Sequence, residues 1–429
     1  MENRYDKYKD SGIAWIGEIP EHWEVCSIKQ IMKNKSIKGF PNETVLSLYR
    51  DFGIIPKDSR DDNHNVTSED TSNYKLVENG DFVINKMKAW QGSMAISDFK
   101  GIISPAYYIC KIFSPKVVRK YIHYLLRDES YKAEYMRLST GMRIGQWDLN
   151  IDDFLQINTI LPLLSEQQSI ATYLNQKCGE IDELITLQEE MITKLQSYKQ
   201  SVITEAVTKG LDKNVPLKDS GIEWIGEIPE HWICTVFKKF LSEPMQYGAN
   251  EPAEECNYND PRYIRITDIK DDGTLRDDTF KSLPLEKAKE YMLTKGDLLF
   301  ARSGATVGKT FLYKEDYAAC FAGYLIKARC NKNELLPNFV FYYTLSNVYQ
   351  NWKNSIFIQS TIQNIGADKY SVMPIIIPPL SEQQSIANYL DQKCSEIDEL
   401  ISIKQQKIEK LKDYKKSLIF ECVTGKRKV

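Results

Sequence analysis

The chain has 429 residues, 42% hydrophobic and 27% charged, with 56 Lys and Arg against 59 Asp and Glu for a formal charge of −3. That balance excludes a histone-like binder held to nucleic acid by charge alone, so any affinity for DNA has to be local. The composition is that of a folded protein, long enough for two or three domains that each bury a core.

Other exclusions follow from residue types. The longest apolar stretch, residues 373–380, is broken by three prolines, and the first ten residues are charged, so neither a membrane span nor a secretory leader is expected. Nine cysteines occur singly beside only four histidines. Neither a disulfide framework nor a zinc site is expected, no cofactor is implied, and the compartment reads as cytoplasmic.

In chain order, the first landmark is residues 11–23, SGIAWIGEIPEHW, which returns at residues 220–232 with twelve of thirteen positions identical. Self-similarity of this kind sets the architecture before any local reading does. Between the copies lies a variable middle with short β-like runs at residues 44–49, 81–85 and 102–112, then a helical pattern over 118–126. The second middle repeats the theme at 263–266, 297–301 and 323–328, with a helix over 338–345. A gapless offset of 216 relates the middles from Gly80 and Gly296 to Lys111 and Lys327, which places the second copy's seven extra residues before Gly296. The middles are therefore expected to share a fold and to differ in surface.

A second block, residues 164–185, recurs at 380–401 with 19 of 22 identities. Ser165-Glu166-Gln167-Gln168 and its copy at 381–384 fit a capping box, with the Ser hydroxyl and a Gln side chain satisfying free amides at a helix start. An apolar stripe follows through Ile170, Leu174, Ile181, Leu184, Met191, Leu195, Tyr198 and Val202. Its partner runs through Ile386, Leu390, Ile397, Leu400 with Ile401, Ile408, Leu411, Tyr414 and Leu418. Steps of three and four over several heptads predict two long coiled-coil helices of about 40 residues and about 60 Å each, with two ordinary core helices as the alternative. Neither helix is basic enough to lie along DNA.

The chemistry-bearing motifs are few. Residues 302–310, RSGATVGKT, invite a phosphate-binding P-loop, yet the spacing is wrong because Ser303 stands where a glycine is required. The better reading is a glycine-hinged loop after a strand that carries Arg302, Ser303, Thr306 and Lys309 toward phosphates and base edges. Its counterpart in the first middle offers Lys86, Lys88, Trp90 and Gln91, with a simply buried Trp90 as the alternative. His22 and His231, at matching positions, read as ties between a turn and the adjoining Trp. The chain has no nucleophile elbow, no His-Glu-x-x-His and no methyltransferase Asn-Pro-Pro-Tyr.

The doubled WIGEIPEHW, the PLLSEQQ and PPLSEQQ helix starts, the closing VTKG and VTGK, NKMKAWQG with SPAY, and YIRITDI together resemble the specificity subunits of type I restriction-modification systems, over essentially the whole chain. The resemblance implies an α+β, pseudo-twofold tandem repeat: two mixed α/β target recognition domains separated by two long antiparallel coiled-coil helices. The implied boundaries are 1–160 and 211–376 for the domains with their lead-in segments, and 161–210 and 377–429 for the helices. It implies a non-catalytic subunit that reads a bipartite, asymmetric double-stranded DNA site and docks two methyltransferase subunits and restriction/translocase subunits. On that basis the DNA-facing set is Lys86, Lys88, Trp90, Gln91, Arg143 and Gln146 in the first domain, and Gln246, Tyr247, Arg302, Ser303, Thr306 and Lys309 in the second. The partner-facing set is Leu184, Met191, Leu195, Tyr198, Leu400, Ile408, Leu411 and Tyr414. No metal or cofactor is implied. A coiled-coil scaffold for two proteins, without DNA, is the competing reading.

Overall fold

The computed structural model describes residues 4–49, 53–60, 70–141, 147–253, 256–270, 273–304, 306–358 and 363–429. It divides into two units, one made of residues 1–188 with 405–429 and one of residues 189–404.

The first unit runs through β1 (Glu24–Ser27), β2 (Met32–Lys35), β3 (Lys75–Val77), β4 (Phe82–Asn85), β5 (Met94–Ile96), β6 (Gly101–Ile103) and β7 (Tyr107–Ile112). Helices α1 (Arg119–Arg127) and α2 (Glu129–Leu138) come next, then β8 (Asn158–Leu161) and the start of α3 (Leu164–Lys209). Four strands form an antiparallel sheet in the order β2-β7-β4-β5, while β1 pairs with β8 and β3 with β6. The sequence run at 102–112 is thus two strands, because Ser104-Pro105 interrupts it and proline supplies no amide to a ladder.

The second unit repeats this plan with β9 (Ile233–Val236), β10 (Gln246–Tyr247), β11 (Arg262–Ile264), β12 (Leu298–Ala301), β13 (Thr310–Leu312), β14 (Ala319–Phe321) and β15 (Leu325–Ala328). Helices α4 (Pro337–Leu345) and α5 (Asn347–Ile358), strand β16 (Pro374–Ile377) and helix α6 (Leu380–Val423) complete it. Its sheet has the matching order β10-β15-β12-β13, and β9 pairs with β16. Strand β11 pairs parallel with β14 over three residues, a pairing that the first unit reduces to a single parallel bridge between Val45 and Ile102 of β6.

Strand register corrects the gapless offset. Ile84 faces Met94 and Phe300 faces Thr310, so 216 holds across the first hairpin of each sheet. On the next strand Phe82 faces Cys110 while Leu298 faces Ala328, an offset of 218. Two residues are therefore gained between β13 and β15 and lost again before α6. The apparent match of Lys111 with Lys327 is a coincidence of residue type: the structural counterpart of Lys111 is Arg329.

Each unit buries a large aromatic core, with Trp23, Tyr121, Tyr131 and Tyr135 in the first and Trp232, Tyr343, Tyr349 and Tyr370 in the second. Buried phenols need partners. Tyr135 donates to the Leu126 carbonyl at 2.8 Å and Tyr343 to the Pro374 carbonyl at 2.8 Å.

Helices α3 and α6 span 46 and 44 residues, about 69 and 66 Å at ~1.5 Å per residue, somewhat longer than the sequence predicts. Stretches of both occur in each unit, and they run antiparallel there. In the first, Lys415 reaches Asp182 at 2.6 Å, and in the second, Lys199 reaches Asp398 at 2.6 Å. The starts of the helices differ from the expected capping box. Both begin at the leucine before the serine, and the decisive side chain is a fully buried glutamine. Gln167 accepts the Val118 amide at 2.8 Å and donates to the Lys116 and Pro162 carbonyls at 2.9 Å each, so it caps α1 rather than its own helix. Gln383 repeats the clamp on Leu336, Glu334 and Pro378.

The histidine expectation is also revised. His22 bonds Glu166 at 2.9 Å and His231 bonds Glu382 at 2.7 Å, so each turn is tied to a helix start. In the second unit the Trp232 indole joins the same carboxylate at 2.9 Å. Among the described residues no helix is long and apolar enough to cross a membrane.

Candidate nucleic-acid interface

In each sheet the two strands at one side are joined by a loop of eight residues, 86–93 between β4 and β5 and 302–309 between β12 and β13. Each loop closes through a glycine in the left-handed region, Gly92 at φ 77° and Gly308 at φ 84°. A Cβ at Gly92 would run into the Lys132 side chain of α2, and one at Gly308 into the Lys353 side chain of α5. Glycine is needed for both reasons, since left-handed backbone is costly for other residues. Gly308→Ala is expected to destabilise the second unit by about 1–2 kcal/mol and to loosen this loop, which chemical denaturation of the wild type and variant measures.

The second loop is pinned at both ends by buried tyrosines, Tyr370 donating to the Ala301 carbonyl at 2.8 Å and Tyr349 to the Gly308 carbonyl at 2.7 Å. Between these anchors Arg302 lies with its guanidinium carbon 5.0 Å from the centroid of the Tyr247 ring. Its carbonyl accepts the Ile365 amide at 2.8 Å, and Ser303 forms a β-bridge with Asn364. The Tyr247 hydroxyl accepts the Ala367 amide at 3.0 Å. Tyr247, Arg302 and Ser303 are thereby brought together, and an exposed Tyr324 whose carbonyl takes the Arg302 amide stands beside them. Thr306 is exposed on the same loop.

Two predicted residues point elsewhere. Gln246 donates to the Glu290 carbonyl at 2.9 Å, and Lys309 donates to the Ile269 carbonyl at 3.0 Å. Lys309 therefore fastens the loop to the segment after β11.

In the first unit Trp90 is half-buried, its ring 5.3 Å from that of Trp147 in an edge-on arrangement and its N–H donating to the Met87 carbonyl at 3.2 Å. Lys86 lies 3.9 Å from Asp148, Gln91 is half-buried, and Lys88 is exposed at the tip. Arg143 and Gln146 lie outside the described residues. Sequence reading missed Trp147, Asn364 and Tyr324, since nothing in their local sequence marks them and long-range folding alone brings them to the loops.

On the helices, Leu184 and Tyr414 are exposed in the first unit and Met191, Tyr198 and Leu400 in the second, while Ile408 is buried and Leu195 and Leu411 are intermediate. The predicted stripe is therefore not one continuous buried line. Its ends, Ile170, Leu174 and Ile181 on α3 and Ile386, Leu390 and Ile397 on α6, pack into the cores of their units. Between them Leu184, Met191, Tyr198, Leu400 and Tyr414 are left open.

The type I restriction modification DNA specificity domain family matches residues 20–196 and again residues 246–413. The chain belongs to that family. It is a DNA specificity subunit of a type I restriction-modification system, the non-catalytic component of that enzyme. The chain is similar to the type I restriction enzyme MjaVIII specificity subunit of Methanocaldococcus jannaschii, 26% identical over 425 residues that cover 96% of this chain and 94% of the relative. It is also similar to the EcoKI specificity subunit of Escherichia coli K12, 23% identical over 66% of this chain and 60% of the relative. Among solved structures, the HsdS subunit from Thermoanaerobacter tengcongensis aligns with a TM-score of 0.52 at 16% identity, covering 95% of this chain and 98% of that one. A chain solved in work on complex assembly and conformational transition of the type I R-M system aligns at 0.71, also 16% identical, covering 94% and 98%. These likenesses show the shared α+β fold with its two long helices.

Proposed function

We propose that the two variable domains of this specificity subunit, bounded near residues 1–160 and 211–376, each read one half of a bipartite, asymmetric DNA site through the loops 86–93 and 302–309. The observation that carries this reading is that two sheets of identical strand order present loops of identical length with different side chains, Lys-Met-Lys-Ala-Trp-Gln in one and Arg-Ser-Gly-Ala-Thr-Val in the other. A shared scaffold with divergent tips is what reading two unlike sequences requires. Mobile counterions released from phosphates supply affinity, and base-edge contacts supply discrimination.

The paired helices, residues 161–210 and 377–429, dock two methyltransferase subunits through the open positions Leu184, Met191, Tyr198, Leu400 and Tyr414, with Leu195, Ile408 and Leu411 behind them. Restriction/translocase subunits join that complex, which works in the cytoplasm. A scaffold that binds two proteins without DNA gains nothing from a tyrosine-anchored loop bearing Arg302 or from a matching loop bearing Lys86 and Lys88.

Arg302 is the sharpest test. A guanidinium held against Tyr247 is oriented for bidentate bonding to guanine, so Arg302→Ala is expected to cost about 1–3 kcal/mol of binding and to relax the methylated sequence at one position. Measuring affinity and methylation motif of the assembled complex decides it: an unchanged motif and affinity would remove this loop from the interface.

A further inference from the structure

Residues 24–150 carry 19 basic against 15 acidic side chains, an excess of four, whereas residues 233–370 carry 18 against 17. Part of that excess collects at one place. Lys75 opens β3 and pairs with Ile103 of β6. Its half-buried ammonium donates to the Tyr107 carbonyl at 2.6 Å and lies 5.5 Å from the centroid of the Tyr108 ring. Tyr107 in turn faces Asn85 across β7 and β4, and Lys86 begins the loop at the next position, its amide bonded to the Ala106 carbonyl at 3.3 Å. Lys38 arrives from the other side, since the neighbouring Ile37 carbonyl accepts the Leu76 amide at 2.8 Å. Three lysines therefore lie around the point where the first reading loop leaves its sheet, close enough for Lys86 and Lys38 to act on the charge of Lys75.

Among the described residues their counter-charge is sparse. Asp148 stands 3.9 Å from Lys86, and among the described residues no carboxylate lies within ion-pair distance of Lys75 or Lys38. Burial, with Lys86 and Lys38 adding to it, holds the Lys75 ammonium below the ordinary lysine range. An ammonium has three N–H donors, and the Tyr107 carbonyl takes one of those on Lys75. Compare Lys35, on β2 of the four-stranded sheet, which meets Asp81 and Glu78 at 2.6 Å each. A cluster of three cations with one carboxylate beside it among the described residues, next to aromatic rings and at the root of the loop, fits a phosphodiester better than a carboxylate-bearing protein surface, because the rings and Asn85 suit sugar and base on either side of the phosphate.

We propose that Lys75, together with Lys38 and Lys86, holds a backbone phosphate of the bound DNA at the root of loop 86–93 and so fixes the register in which that loop meets its half-site. The inference rests on the reading that this loop faces DNA. The anchor is rigid because Lys75 is fixed by a strand, a carbonyl and a ring, whereas Lys88 at the tip is exposed.

The test uses the full chain assembled with its methyltransferase subunits and a duplex bearing the mapped methylation sequence. Lys75→Met keeps the apolar stem beside Tyr108 and removes the charge. Binding is measured from about 50 to 200 mM salt, where one lost phosphate contact flattens the slope of log affinity against log salt by about 0.9, so the variant loses about threefold less affinity than wild type over that range. Lys38→Ala, at an exposed position, is expected to act in the same direction and serves if Lys75→Met does not fold. In a second arm, single methylphosphonates are placed along the first half-site. One or two positions are expected to weaken wild type without weakening Lys75→Met or Lys38→Ala further. An unchanged slope with additive methylphosphonate effects, the motif being retained, overturns the anchor and leaves the loop reading standing. A wild-type complex that binds this duplex no better than unrelated DNA would instead overturn the loop reading itself.

Discussion

Replacing Gln167 with Ala is expected to destabilise the first unit by about 3–5 kcal/mol, although the residue touches neither loop. Its amide is fully buried and serves the Val118 N–H and the Lys116 and Pro162 carbonyls at once. Truncation leaves three backbone groups without partners, and a buried unsatisfied group costs roughly 1–3 kcal/mol. Against a total stability on the order of 5–15 kcal/mol, that loss is large. Gln167→Glu is expected to be nearly as harmful, since a carboxylate accepts from Val118 but cannot donate to two carbonyls. Gln383→Ala should repeat the effect in the second unit, through Leu336, Glu334 and Pro378. Amide hydrogen exchange separates the two: protection should fall at the start of α1 in the first variant and at the start of α4 in the second. A loss below about 1 kcal/mol in both would mean that water replaces the clamp.

These glutamines show where sequence reading stops. The doubled SEQQ is visible at a glance, and capping chemistry explains a Ser followed by Gln well enough to place both helices within a residue of their starts. What sequence does not reveal is that the buried member is the first Gln and that it caps a different helix, because the geometry depends on a chain segment about fifty residues away. The same limit explains the register. A run of matching Gly, Ala and Lys suggests a gapless repeat, yet strand pairing shows two residues gained and lost, since sheet register is set by the partner strand and leaves no local mark. Strands 82–85 and 298–301, by contrast, were legible as short β-like runs bounded by turn residues. The helix stripe is legible as periodicity but not as burial: Tyr198 and Tyr414 occupy matching repeat positions and both stay open.

At the candidate interface the legible part was the loop. Arg302 and Ser303 sit where a strand exit followed by glycines puts them, and Tyr247 meets Arg302. Lys309 was expected to point outward, but a lysine's reach lets it bond backward as readily, and here it donates to the Ile269 carbonyl. Lys75 left no signal at all. Its significance comes from the absence of a carboxylate partner among the described residues, a property of the folded surface rather than of its neighbours in sequence.

The second large effect expected is a change of specificity confined to one half of the DNA site. The variable segment from residue 24 to residue 158 lies between near-identical repeat blocks, and its last residue, Asn158, pairs with Ser27 near its start, so the exchanged piece begins and ends on one two-stranded ladder. Its core contacts with α3 run through positions such as Ile170 and Leu174 that recur as Ile386 and Leu390 in the other repeat, which makes a related domain compatible with the same helix. The most direct measurement is therefore to exchange residues 24–158 for the corresponding segment of another specificity subunit, assemble the complex, and map the methylated positions in DNA exposed to it. One half of the recognised sequence should be replaced by that of the donor and the other half retained. Replacement of both halves, or of neither, would contradict two domains that read independently.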